Sequence, residues 1–135
     1  MSIKLVIVDD HKIIRDGLRA ILRADNDIEV VADAEASEQL MDYLSANTID
    51  VILLDMNLPR KDGREVLEVI KNDHQLKTIP VIVLTTSKSE RDIRISYENH
   101  ANCYIVKPVK FEEFLEIIKF VVDFWINLVK LPGLK

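Results

Sequence analysis

IKLVIVDD, residues 3–10, runs an apolar segment straight into two carboxylates, Asp9 and Asp10. The run is continuous rather than alternating, as expected of a strand buried on both faces. The pattern returns twice. VILLD (51–55) ends on Asp55, and CYIVK (103–107) ends on Lys107. Between these runs lie segments with helical spacing of apolar residues. The predicted strands are 3–8, 28–32, 49–54, 80–84 and 103–106. The predicted helices are 12–24, 38–46 (capped by Ser37), 64–72, 90–99 and 111–128. Strand and helix thus alternate five times, which predicts an α/β domain with a doubly wound parallel sheet and right-handed crossovers.

In such a sheet the carboxyl ends of the strands share one edge, and ligands bind there. Asp9, Asp10, Asp55 and Lys107 are therefore predicted to converge. Clustered acids resist ionising together unless a cation joins them. Mg²⁺ suits the set, because it is held by one or two carboxylates plus phosphate oxygens. The chemistry indicated is phosphoryl transfer to an aspartate.

Composition narrows the alternatives. The 135 residues are 48% hydrophobic and carry a formal net charge of -5. There is no dense basic stripe of the kind nucleic acid requires. Cys103 is the only cysteine, so neither an internal disulfide nor a cysteine-based zinc site is available. No apolar stretch has membrane-spanning length, and the opening lacks the features of a signal peptide. A cytoplasmic protein is expected, with residues 1–128 as one domain and 129–135 as a tail.

The residues Asp9-Asp10, Asp55, Asn57, Pro59, Gly63, Thr85, Tyr104 and Lys107-Pro108 resemble, as a set, the receiver domain of bacterial two-component response regulators. The resemblance covers about residues 3–122. It implies a flavodoxin-like fold of strand order 2-1-3-4-5 and a phosphorylated switch rather than an enzyme, with Asp55 accepting the phosphoryl group from a histidine kinase. It further implies that Asp10, Asp55 and the Asn57 backbone carbonyl hold Mg²⁺, with Asp9 reaching the ion through water. Lys107 and Thr85 would bind phosphoryl oxygens. Thr85 and Tyr104 would form the switch, altering the surface of helix 4, strand 5 and helix 5. Asn57 and Ser87 would tune phosphate lifetime. A cis Lys107–Pro108 peptide would aim the lysine.

Two parts of the chain resemble different relatives. Residues 3–34 look like regulators carrying a LuxR-type DNA-binding domain. From about residue 51 onward, tracts such as SYENHANCYIVKP and FWINLVKLP look like cyanobacterial phytochrome regulators. A divergent natural protein or an engineered chimera joined between about 33 and 50 would each give this mosaic. Helix 5 is apolar nearly all round, more than a surface helix exposes, and predicts a homodimer through that helix.

Blander roles accompany these. Asp9 and Asp10 fit capping of helix 1, and Thr86 is the fallback for Thr85. His11 reads as a helix-start residue, His74 and His100 as solvated, and Cys103 as a small core residue. Helix 4 has a thin apolar face, Ile93 and Tyr97, and is expected to be the least stable helix. The rival function is a Mg²⁺-dependent aspartyl phosphatase or phosphotransferase. Against it, Asn57 stands two residues after Asp55 where such enzymes carry a second acid, and no insertion forms a substrate cap.

Overall fold

A computed structural model describes residues 3–23, 28–34, 37–56, 58 and 63–132. Strands and helices alternate: β1 (Ile3–Val8), α1 (Lys12–Leu22), β2 (Ile28–Ala34), α2 (Ser37–Ala46), β3 (Val51–Asp55), α3 (Gly63–Asn72), β4 (Val81–Thr85), α4 (Glu90–Glu98), β5 (Cys103–Val106) and α5 (Phe111–Asp123). The sheet is parallel, in the flavodoxin-like order β2-β1-β3-β4-β5. Ser37 is the first residue of α2 rather than the residue before it.

Alternate side chains of a strand point to opposite faces, and the central strands use both. Val6, Val8, Ile52, Leu54, Val81 and Val83 bury against α2 and α3, through Leu40, Leu44, Val66, Leu67 and Ile70. Leu5, Ile7, Val51, Leu53, Ile82 and Leu84 bury against α1 and α5, through Leu18, Leu22, Phe114, Ile118 and Val122. This explains why these strands read as continuous apolar runs.

Helix 5 departs from its predicted length. The α-helix stops at Asp123, and a π-helical turn, Phe124–Leu128, follows. That turn closes with the Val129 N–H donating to the Phe124 carbonyl at 3.0 Å. The segment then returns to the core, where Leu131 is buried against the α1/α5 layer. Val129 and Leu131, two of the residues assigned to a tail, are thus anchored.

Helix 4 also differs in detail. Its buried residue is Ser96, while Tyr97 is half exposed. The inward face thus keeps the half-buried Ile93 of the predicted pair but presents Ser96 in place of Tyr97. Its start is capped by the Ser89 hydroxyl, which accepts from the Asp92 N–H. His100 ends it with φ of 67°, the left-handed conformation that glycine and asparagine favour at helix ends.

Candidate functional site

Register brings the charged strand ends together. Val8 pairs with Leu54, so Asp9 and Asp55 follow in step on neighbouring strands. Thr85 pairs with Val106, which sets Lys107 one residue further on. The Lys107 N–H donates to the Thr85 carbonyl at 2.7 Å. These ends lie at the carboxyl edge of the sheet, as the sequence predicts.

Asp9, Asp55 and Thr85 are almost fully buried, whereas Asp10 is exposed. Lys107 Nζ lies 2.7 Å from Asp9 Oδ2 and 3.4 Å from Asp55 Oδ2. One ammonium therefore serves two buried carboxylates. Nζ also lies over the ring of Phe114, 6.0 Å from its centroid. Asp9 Oδ1 accepts from the His11 N–H at 2.8 Å. The Asp9 carbonyl accepts from Arg15 Nη1 at 2.6 Å. The residue capping α1 is His11, without a side-chain bond, so Asp9 and Asp10 are not there as helix caps.

Among the described residues every peptide bond is trans, which corrects the expectation of a cis Lys107–Pro108 bond. The trans form is the lower in energy even before proline, and Lys107 reaches both carboxylates with it. Asn57 and Pro59 lie outside the described residues; the Asn57 carbonyl and its part in phosphate lifetime belong to that stretch.

The donor set fits a divalent cation. Asp9, Asp10, His11 and Asp55 each offer a ligand atom, and these atoms all lie within 4.8 Å of one another. Carboxylate oxygens are the ligands hard divalent ions take.

Thr85 connects the pocket to α4. Its Oγ1 accepts from the Ser87 N–H at 3.2 Å. Ser87 Oγ donates to Asp92 Oδ2 at 2.6 Å, and Arg64 Nη1 stands 3.7 Å from Asp92 Oδ1. Tyr104 donates its hydroxyl to the Ser87 carbonyl at 3.0 Å. Burial pushes the Tyr104 phenol up, with its bond to Ser87 pulling the other way. The switch pair of the sequence reading is thus already tied to the β4–α4 loop.

In the sequence Gly63 stands out only as one of the residues that carry the family resemblance. It is the first residue of α3 and is buried. A Cβ there would stand 2.5 Å from the Asp55 carbonyl oxygen and 2.6 Å from Met56 Cα. Glycine lets α3 begin against the end of β3. Asp92 and Arg64 were also missed, because polar residues on exposed helix turns carry no signal of a partner.

Residues 5–119 match the response regulator receiver domain. The chain belongs to this family. It is 37% identical over 136 residues to response regulator Rcp1 of Synechocystis sp. PCC 6803, covering 96% of this chain and 92% of Rcp1. The structure of the Mn²⁺-bound form of Rcp1 superposes with a TM-score of 0.89 at 36% identity, covering 96% of this chain and 99% of that one. The structure of phosphorylated RcpA, a cyanobacterial phytochrome response regulator, superposes with a TM-score of 0.90 at 36% identity, covering 98% of this chain and all, 100%, of that one. The Escherichia coli nitrate/nitrite response regulator NarP is 34% identical over 86% of this chain, which spans 53% of NarP.

The protein is therefore a response regulator receiver domain, not a small-molecule phosphatase. Its Asp9, Asp10 and Asp55 form an acidic, metal-binding pocket consistent with a phosphoaspartate site. The Rcp1 match extends over both tracts of the mosaic, so a chimera is not shown. Among the described residues no helix is long and apolar enough to cross a membrane.

Proposed function

We propose that Asp55 accepts a phosphoryl group from a histidine kinase, of the phytochrome type, in the cytoplasm. The observation carrying this is the convergence of Asp9, Asp10 and Asp55 with Lys107 Nζ at 2.7 Å and 3.4 Å from the two buried carboxylates. An Asp55 oxygen forms the new bond to phosphorus as the donor's N–P bond breaks. Mg²⁺, when bound, would offset the negative charge that gathers there; Asp10, Asp55 and, as the family resemblance implies, the Asn57 carbonyl would hold it, with Asp9 reaching it through water. Lys107 then follows the charge from the carboxylates to a phosphoryl oxygen, acting as a point charge. The Thr85 hydroxyl donates to another oxygen. Ser87 and, as the family resemblance implies, Asn57 would set the lifetime of the phosphorylated state.

Readout follows the Thr85–Ser87–Asp92 hydrogen bonds and Tyr104. When Thr85 turns toward the phosphoryl group, the β4–α4 loop loses an anchor, and the α4–β5–α5 surface changes. That surface includes exposed Phe120, Phe124 and Leu128, which border a groove of about 560 Å³ with Cys103 and Trp125. These apolar residues support a homodimer through helix 5. The domain takes in residues 1–128, and the following segment packs on it through Leu131.

Incubation with acetyl phosphate and Mg²⁺ tests the core of this reading. A mass gain of one phosphoryl group, lost in Asp55→Asn and in EDTA, is expected. Undiminished labelling of Asp55→Asn would overturn it.

A further inference from the structure

His11 borders the acidic pocket, and phosphoryl transfer as described gives it no role. It sits at the start of α1, yet its side chain makes no capping bond. The ring turns back toward the carboxylates instead. Nδ1 lies 3.1 Å from Asp9 Oδ1 and 3.0 Å from Asp10 Oδ1. Ligands about 2.1 Å from an ion stand about 3.0 Å apart along each edge of its octahedron and about 4.2 Å apart across it. The His11–Asp10 separation matches such an edge, and the 4.8 Å limit on the set leaves a small closing movement, for which exposed Asp10 and His11 have room. With a proton on Nδ1 the ring donates to those oxygens. In the tautomer without that proton, Nδ1 carries the lone pair with which imidazole binds a metal. Lys107 is no competitor there, because it engages the other oxygen of Asp9, Oδ2.

We propose that His11 Nδ1 is a direct ligand of the divalent ion in this pocket, which gives the site a nitrogen donor and a preference for borderline ions. Imidazole suits nickel, zinc, copper and iron, whereas carboxylates alone suit magnesium and manganese. The inference rests on the cation-binding reading of Asp9, Asp10 and Asp55. It makes His11 a determinant of which ion loads the receiver.

The test uses the full chain with His74→Gln and His100→Asn as background, which removes the other imidazoles; asparagine tolerates the left-handed backbone at position 100. Mn²⁺ bound to this protein is examined by pulsed EPR for ¹⁴N coupling. Nickel and magnesium affinities are measured by calorimetry, each with and without His11→Gln. Imidazole coupling that disappears in His11→Gln is expected, together with a fall of about tenfold or more in the nickel-to-magnesium affinity ratio. Mn²⁺ binding that requires Asp10 and Asp55 but shows no ¹⁴N coupling would overturn the His11 assignment and leave the pocket intact. An unchanged affinity ratio would do the same. No Mn²⁺ binding at all, or binding that survives Asp10→Asn with Asp55→Asn, would overturn the pocket reading and the inference with it.

Discussion

Lys107 carries a disproportionate share of the pocket's electrostatics. It is the described cation within 4 Å of both Asp9 and Asp55, each of which is 2% exposed at the side chain. Removing one partner of a buried pair leaves a charge stranded, and this costs more than the pair contributes. Lys107→Met should therefore lose about 3 kcal/mol of unfolding free energy in EDTA, measured by urea denaturation. Saturating Mg²⁺ should recover part of that loss, since a ligand of the folded state stabilises it by mass action. Gly63→Ala should cost about 1–3 kcal/mol from overpacking, because backbone atoms of Asp55 and Met56 leave no room for a Cβ. Asp9, Asp55 and Lys107 were legible in the sequence because each closes an apolar run. Gly63 was not, since its closeness to Asp55 depends on how α3 docks rather than on local pattern.

Among the helices, α4 contributes least to the core. Its buried residue is a serine, and the Ser96 hydroxyl meets no hydrogen-bond partner among the described residues. A buried unsatisfied hydroxyl costs about 1–3 kcal/mol, so Ser96→Ala should raise stability by about 1 kcal/mol in chemical denaturation. Loss of the same residue's penalty should also slow amide exchange along α4. His100→Gly should add about 0.5–1 kcal/mol by relieving the left-handed backbone. The thin apolar face was readable from residues 90–99, but its direction was not: Tyr97 is large enough to suggest burial, yet the helix turns Ser96 inward. Helix 5 shows the converse. FWINL, residues 124–128, reads as continued α-helix because most of its residues are apolar, and periodicity alone does not register the change to π-helical spacing at Phe124.

For the molecule as a whole, the five-fold alternation of strand and helix was enough to give the class, while the observed order of the sheet was implied only by the family resemblance. Alternating side chains of the same strands feed two separate apolar layers, which is why no strand but the edges could show a polar period. Association is less directly written. Phe120, Phe124 and Leu128 are 78%, 50% and 74% exposed. If they meet a second copy, sedimentation should show a concentration-dependent dimer, and Phe120→Glu should shift it to monomer while leaving the unfolding midpoint of the monomer unchanged. A protein that sediments as monomer at high concentration in both forms would remove helix 5 as the contact.

The step between Val8–Leu54 pairing and the carboxylates that follow it has a consequence for how this receiver can diverge. One residue inserted within β1 would turn its remaining side chains to the wrong face and slide Asp9 about 3.3 Å along its neighbour. The spacing of the acids is thus locked to the partition of the core. Tuning of what the pocket accepts must come by substitution at its rim, where Asp10 and His11 stand clear of both layers, and not by lengthening or shortening the strands that deliver Asp9 and Asp55.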